Sequence, residues 1–447
     1  MNITGWRCAV CGAELPIGAV FPWQCPRSSP SDRHHVLHAV GATLPVDAGD
    51  LVDDPNPFVA FDAGLAWAAF AEAHGMDLAA RTALVRQLDA QVAAVAGTGF
   101  RVTPFSRSAA LSEALAFDRA GGVWLKDDTG NVAGSQKARH LFTILLHLRA
   151  AEELGLAPWS VPATATATAT THRPRLAISS CGNAAIAAST LAAAVGWPID
   201  VFVPPWASQA VLVRLHALGA HVQVCPRLPD DPPGDPCIHR FREAVAAGAV
   251  PFGVQGPENA LCLDGGRTMG WEILAAAAAQ GIELDRVFVQ VGGGAFAACM
   301  GAALRSATPP PRLFAVQAEG CAPLAGAWRR ARGLPDGPGS AGQHWAECMR
   351  VWGSDGEAEP ASAADGILDD ETYDWLAIVG ALDATHGDVV VAGEDAVVEA
   401  HRLLHSATGI DATATGTAGL AGVIALRAEI GNDERIAVVA SGITRRL

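Results

Sequence analysis

Apolar and polar positions fall into three regimes along the chain. From Leu65 to about Ala96 the sequence is rich in Ala and Leu, and its apolar residues recur every three to four positions. That spacing predicts helix. Beyond residue 120, short apolar runs alternate with Ala/Leu stretches of helical period. VWLKD (123–127) precedes a helix predicted to start near Ser135, and LAISS (176–180) precedes one starting near Asn183. DVFVPP (200–205) precedes a helix at 208–218, with HVQVC (221–225) after it. RVFVQV (286–291) precedes a helix at 295–305, and RLFAVQAE (312–319) and RIAVVASG (435–442) have the pattern of further buried strands. Such alternation implies parallel sheets covered by helices, an α/β fold. No repeat of fixed period runs through it.

The first 45 residues differ. Pro16, Pro22, Pro26 and Pro30 break any helix there, and Cys8, Cys11 and Cys25 are followed by His34, His35 and His38. ATATATATTHR at 163–173, between a predicted helix and a predicted strand, is expected to be an exposed insertion. The Gly/Pro-rich stretch 333–342 and the acidic run 354–370 are expected to form loops over the substrate side or at a subunit contact.

Composition narrows the function classes. A chain of 447 residues, half of them hydrophobic and 17% charged, has the makings of two or three domains with their own cores. Its formal charge of −15 argues against nucleic-acid or acidic-membrane partners. The most apolar stretches, about 176–196 and 286–304, are interrupted by Gly-rich turns and by Asn183 and Gln290, so they are predicted to be buried strand–helix units rather than membrane spans. MNITGWRCAVCG has no signal-peptide pattern, and the ten cysteines do not suggest a disulfide scaffold. The expected location is the cytoplasm.

Four turns carry candidate chemistry. Asn131-Val-Ala-Gly134-Ser135-Gln-Lys137 puts a lysine at a helix start after small residues. A partly desolvated lysine there can act as nucleophile and base; a solvated lysine is the competing reading. Ser180-Cys181-Gly182-Asn183, at a strand-to-helix turn, offers backbone N–H groups and small polar side chains that suit a carboxylate; a plain βα turn with Asn183 near the N-cap is equally compatible. Gly292-Gly293-Gly294-Ala295 can wrap a phosphate at a helix N-terminus. It also matches the dinucleotide pattern G-x-G-x-x-A through Ala297, with Glu319 at the spacing of a ribose ligand. Ser441, ending the last predicted strand, could meet a ring nitrogen or be a turn serine.

In this order, the four turns resemble the tryptophan-synthase-β-like superfamily of pyridoxal-phosphate (PLP) enzymes, fold type II, which includes threonine synthase and the serine/threonine ammonia-lyases. The resemblance runs from about residue 100 to the C-terminus. It is supported by Gly265-Gly266-Arg267-Thr268-Met-Gly-Trp-Glu272-Ile, similar to the family's G-Q-x-T-x-x-x-E-I with Gly266 in place of Gln, and by Val316-Gln-Ala-Glu319-Gly320. It displaces the dinucleotide reading, which explains neither Lys137 nor Asn183.

The resemblance implies two three-layer αβα domains with mostly parallel sheets and a small N-terminal ribbon-like segment at 1–45. It implies a large PLP-binding domain from 46–122 and 241–447, and a small substrate-side domain at 123–240. Lys137 matches the Schiff-base lysine, and Asn183 the residue beside the cofactor's 3-hydroxyl. Ser180, Cys181 and Gly182 match the grip on the substrate carboxylate, Gly292, Gly293, Gly294 and Ala295 the phosphate cradle, and Ser441 the partner of the pyridine nitrogen. A homodimer acting on a small amino acid is expected. The sequence departs from the family at Val132-Ala133, Gln136, Cys181 and His140, the last standing where Gly is usual after Arg139.

A serine at the ring nitrogen suits elimination. Lys137-Ala-Arg139 is similar to the ammonia-lyase pattern, whereas Val-Gln-Ala-Glu-Gly and Cys8-x2-Cys11 are similar to threonine synthases. The expected reaction is β-elimination from serine or threonine. The alternatives are threonine synthase-like replacement on phosphohomoserine and a PLP-binding protein without turnover. His401 and His405 (HRLLH, 401–405) read as a solvated helix face, and His140 and His147 as core or rim residues. Cys8, Cys11 and Cys25 with one of His34, His35 or His38 are a candidate zinc set. The absence of a second cysteine after Cys25 favours instead a metal-free ribbon packed on the core through Trp6, Phe21 and Trp23.

Overall fold

The computed structural model describes residues 3–29, 31–41, 53–160, 173–232 and 234–445. The Ala-Thr insertion expected at 163–173 thus lies, but for its last residue, outside the described residues. Among these the strands form three sheets. The first is antiparallel, in the order β2–β1–β3, from β1 (Ile3–Cys8), β2 (Glu14–Pro16) and β3 (Leu37–Gly41). No helix interrupts this proline-rich segment among the described residues.

The second sheet has six strands: β4 (Phe105–Ser108), β5 (Gly122–Asp127), β10 (Arg286–Gln290), β11 (Arg312–Ala318), β12 (Asp388–Ala392) and β13 (Arg435–Ala440). Their order is β12–β11–β10–β13–β5–β4, parallel except for β4 at one edge. The third is a four-stranded parallel sheet, β8–β7–β6–β9, from β6 (Leu176–Ser179), β7 (Ile199–Val203), β8 (His221–Val224) and β9 (Val250–Pro251).

Successive side chains along a strand point to opposite faces, and the packing follows. In β10, Val287 and Val289 enter one core while Phe288 enters another with Phe314, Val316 and Val438. In the smaller sheet, Ile199, Val201 and Val203 join the first core, and Phe202 packs with Phe241 of the helix Pro236–Ala246 on the outer face. Both sheets therefore need helices on both faces. The first core is common to the two sheets and also takes in Ile3, Trp6, Cys8, Cys25 and Leu37 of the N-terminal segment.

The division expected from sequence needs correction at its edges. Residues 123–127 fall in the larger sheet, because β5 pairs with β13 over Gly122–Asp127. The smaller sheet extends beyond 240, to β9 at Val250–Pro251. An apolar run reads alike wherever it lies; only its hydrogen-bond partner, here at the far end of the chain, assigns it to a sheet. The helical stretch from Leu65 is two helices, Ala66–Ala73 and Leu78–Ala96. The break has local causes: Gly75 takes φ +90° and the Asp77 side chain caps the second helix by accepting from Ala80 N at 2.8 Å. No helix among the described residues is long and apolar enough to cross a membrane.

One ionic network pins β5 to two helices. Lys126, on β5, lies fully buried with its Nζ 2.5 Å from Glu272 Oε2, and donates to Thr103 O at 2.6 Å. Arg139, on the helix Lys137–Glu153, donates to Glu272, to Asp128 (2.9 Å) and to Thr268 Oγ1 (3.0 Å). Glu272 and Thr268 belong to the helix Arg267–Ala279. Burial pushes the Glu272 carboxyl up, but the Arg139 and Lys126 charges outweigh it and hold the group below its ordinary value. Two cations share this one carboxylate, so its removal leaves buried charge uncompensated. Glu272→Ala is expected to cost about 3–5 kcal/mol. A lowered urea midpoint with an unchanged slope checks it, and a loss under about 1 kcal/mol would contradict this role for the network.

Candidate active site

The helix Lys137–Glu153 begins where the chain is forced through an unusual turn. Ala133 has φ +56° and Gly134 φ +67°, both in the left-handed region. A Cβ at Gly134 would meet Ile443 Cδ1 at 2.6 Å. The turn is clamped from the C-terminal end of β13: Gly442 N and Ile443 N both donate to Gly134 O at 3.1 Å, and Gln136 N donates to Ser441 Oγ at 2.9 Å. The turn that leads into Lys137 is thereby fixed to Ser441, which is separated from it by most of the sequence.

Lys137 keeps partial exposure, unlike Lys126. Among the described residues no group accepts a hydrogen bond from its amine. Desolvation lowers its pKa, partly opposed by the carboxylates Asp369 and Asp374 and the thiols Cys262 and Cys299. A lysine of this kind holds a larger fraction of free amine than a surface lysine. Burial lowers the Lys126 pKa as well, but its amine is held by Glu272 and by Thr103 O.

Asn183 opens the helix Asn183–Ala194 and reaches the same place. Its Oδ1 accepts from Arg445 NH2 at 2.9 Å, and its Nδ2 lies 2.8 Å from where a Cβ on Gly442 would stand. Gly442 has φ +96°, so that position is suited to glycine twice over. Ser180, Cys181 and Gly182 precede Asn183 and are partly exposed, with Gly182 N donating to Ser180 Oγ at 3.3 Å.

The glycine turn Gly292–Gly294 leads from β10 into the helix Ala295–Leu304. Gln290, just before it, donates from Nε2 to Gly416 O (3.3 Å), and Ser441 N donates to the same oxygen (3.2 Å). The turn is thus tied to Ser441. A segment that begins at the end of the acidic run lies across it. The Asp369 carboxylate lies against the turn, Asp374 N donates to Gly293 O at 3.0 Å, and Tyr373, the chain's one tyrosine, packs on Gly293. A Cβ at Gly292 would come within 2.3 Å of Asp369 Oδ2.

A carboxylate oxygen therefore already takes up space against the turn expected to hold a phosphate. Asp369 and a phosphate compete for that space. The sequence places the run 354–370 in a loop on the substrate side or at a subunit contact. Its acidic end reaches the glycine turn, and the only local signal is the density of carboxylates in LDDETYD (368–374).

The carboxylates are strongly perturbed. Burial pushes Asp374 up to about 7 and Asp369 up to about 6, with Lys137 pulling each back. Burial pushes Glu371 up to about 7, helped by Asp370. His140, next on the Lys137 helix face, is depressed to about 3 by burial and then by Lys137, and its Nδ1 lies 2.7 Å from Cys262 O. It is a neutral core histidine, as is His147, whose Nε2 contacts Val20 O at 2.6 Å. His405 is exposed on its helix.

A family model described as "Pyridoxal-phosphate dependent enzyme" matches residues 97–442. Similar solved structures include maize serine racemase, at 17% identity and TM-score 0.58, covering 82% of this chain and 94% of that one. A threonine deaminase from T.th. aligns at 21% identity and TM-score 0.58, covering 81% and 99%. The diaminopropionate ammonia lyase of Escherichia coli aligns at 15% identity and TM-score 0.59, covering 81% and 88%. At these identities the likeness shows the fold alone. No curated protein matches the chain in sequence.

This geometry is open to two tests. Asp374 in the folded protein keeps its proton up to about pH 7, whereas in the unfolded chain it loses it near pH 4. The stability due to this protonation is complete on the acid side and is lost as pH rises across that window, by up to about 1.4 kcal/mol per pH unit. Asp374→Asn keeps an acceptor for Gly256 N. Between pH 5 and 7.5 the cofactor-free variant should gain stability relative to the parent, measured by urea titration at each pH; parallel curves would refute the assignment. Second, Gly293→Ala, whose Cβ meets only a side chain at 3.0 Å, should weaken PLP binding about tenfold or more with little loss of stability. Asp369→Ala should strengthen it by freeing the turn. Equilibrium titration with PLP and with inorganic phosphate reads both, and unchanged affinities would count against the turn as the phosphate site.

Proposed function

The chain belongs to the family of pyridoxal-phosphate dependent enzymes, and on that premise we propose that it is a lyase that removes a β-substituent from a small amino acid, with Lys137 as the cofactor-bearing residue and the base. The observation that carries this reading is the desolvated amine of Lys137, which starts its helix directly after a turn clamped to Ser441 and interacts electrostatically with Asp369 beside the glycine turn. When bound, PLP supplies an electron sink for the pair left at the α-carbon. In this reading Gly292, Gly293, Gly294 and Ala295 hold its phosphate once Asp369 moves off the turn, and Asn183 and Ser441 flank the ring. Ser441 Oγ already accepts from Gln136 N, which leaves its hydroxyl proton to donate. A neutral serine donor tempers the sink, which favours elimination. Ser180, Cys181 and Gly182 grip the substrate carboxylate, and the lowered pKa of Lys137 leaves more of its amine free to take the α-proton.

Electrostatics separates the competing substrates. The Cys181 thiol is raised by burial and then by Asp235, Asp365 and Asp369. Those carboxylates put negative charge near the carboxylate-gripping loop, while the Arg445 guanidinium donates to Asn183 Oδ1 at its end. The negative charge disfavours the phosphate dianion of phosphohomoserine and fits a neutral hydroxyl side chain. The same field favours a second reading, a substrate whose side chain carries an ammonium group, as 2,3-diaminopropionate does.

The test is a product screen of the PLP-loaded protein with L- and D-serine, L- and D-threonine, 2,3-diaminopropionate and phosphohomoserine. Ammonia and a 2-oxo acid are expected from one or more of the first five. Borohydride reduction should fix the cofactor on Lys137, and Lys137→Ala should lower turnover about a thousandfold or more. Label on Lys126 would refute the lysine assignment. Threonine made from phosphohomoserine would overturn the lyase reading, and PLP binding without turnover of any of these would leave a carrier or regulatory role.

A further inference from the structure

Three sulfurs and one imidazole converge at the N-terminus. Cys8 ends β1, and a tight turn brings Cys11 back beside it: Gly12, at φ +66°, donates from its N to Cys8 O at 3.0 Å. Cys25 arrives from the other side, in a turn where Arg27 N donates to Cys25 Sγ at 3.4 Å and Ser28 N to Cys25 O at 3.0 Å. The fourth group is His35, just before β3. One ligand atom from each of the four lies within 4.8 Å of all the others. Cys8 Sγ is 3.4 Å from His35 Nδ1, and Cys11 Sγ is 3.6 Å from Cys25 Sγ.

These separations can be compared with a filled site. Zinc bonds of about 2.3 Å to sulfur and about 2.0–2.1 Å to nitrogen, in a tetrahedron, put sulfurs about 3.8 Å apart and sulfur and nitrogen about 3.5 Å apart. The observed pairs lie close to those edges. A second, independent feature is the other ring nitrogen of His35. Its Nε2 lies 3.0 Å from Asp32 Oδ2, the carboxylate partner that fixes ring orientation and raises basicity at Nδ1 in metal-bound histidines. His35 and two of the sulfurs are buried, and all ten cysteines are free thiols. A Cys11–Cys25 disulfide would leave Cys8, His35 and Asp32 without a reason to converge. In sequence, the missing second cysteine after Cys25 argues for a metal-free ribbon; the fold supplies His35 in its place.

The site also connects to the candidate active site. His34, adjacent to His35, stacks on Trp345 with centroids 4.3 Å apart, faces Trp375 Nε1 with its Nδ1 at 3.3 Å, and has Nε2 3.6 Å from Glu371. Glu371 and Trp375 bracket Tyr373 and Asp374, which rest on the glycine turn.

We propose that Cys8, Cys11, Cys25 and His35 bind one zinc ion, which fixes the N-terminal sheet and, through His34, holds the segment 369–375 over the glycine turn. The zinc assignment does not depend on the reading of the active site, and both tests below need no turnover. Full-length protein purified without chelator should contain about one zinc per chain. Cys11→Ser and Cys25→Ser should lose it, and Cys237→Ser should not. Should the first two fail to fold, chelator-stripped parent protein titrated with Co(II) should show the thiolate charge-transfer and tetrahedral d–d bands. Hydrogen exchange at amides 369–374 should quicken about tenfold on zinc removal, and similarly in His34→Ala, which keeps its zinc. Folded protein that retains under about 0.1 zinc after zinc loading and dialysis, a Cys11–Cys25 disulfide in place of metal, or undiminished zinc in folded Cys11→Ser would overturn the site. Unchanged exchange after complete zinc removal would overturn its connection to the glycine turn.

Discussion

The interaction on which the site most depends is the buried carboxylate of Glu272, shared between Lys126 and Arg139. Lys126 belongs to β5, Arg139 stands two residues after Lys137 on its helix, and Glu272 belongs to a third element. Taking these charges out of water is costly and is offset only while every partner stays in place. The network therefore fixes the position of the Lys137 helix against the sheet more sharply than apolar packing would. It also gives a physical role to residues that the family resemblance only marked. Thr268 and Glu272 of the Gly-Gly-Arg-Thr-x-x-x-Glu stretch, and the Arg of Lys-Ala-Arg, meet in one cluster. They position the helix that begins with Lys137.

The same region explains two departures from the family pattern as one. His140 stands where glycine is usual, and Gly266 where glutamine is usual. A Cβ on Gly266 would lie 2.3 Å from His140 Cε1, so the imidazole fills the space that a side chain at 266 would need. Volume has moved from one helix to the other across a close contact, which is how a packed interior accommodates a change of size. Its neighbour Gly265 is constrained by backbone: a Cβ there would meet Arg139 O at 2.0 Å.

Around Lys137 the electrostatics is unusually acidic for a site expected to take a phosphate and a carboxylate. Asp369, Asp370, Glu371 and Asp374 all have raised pKa values through burial. The segment that carries them is held on its far side by His34, Trp345 and Trp375. One acidic loop thus rests on the glycine turn and is held, through His34, to the N-terminal segment.

The strand-and-helix alternation from residue 120 onward was legible in the sequence because periods of 2 and 3.6 are local properties of the chain. The helices at Asn183 and Ala295 and the strands at Leu176, Arg286 and Arg435 lie within a residue or two of where the pattern puts them. So were the turns bearing Lys137, Asn183, the glycines and Ser441, since small residues after a strand are visible in any order. Which turns meet was not legible from pattern alone. The pairing of β5 with β13, which moves 123–127 into the larger sheet and sets Ser441 against Gln136, joins distant parts of the chain. The choice of His35 among three nearby histidines depends on a turn between Cys25 and β3, and the placement of Asp369 on Gly293 on a loop without a repeating pattern. Sequence periodicity reports which face of an element is apolar; it carries no information about which distant element covers that face, and it is those long-range contacts that assemble the site.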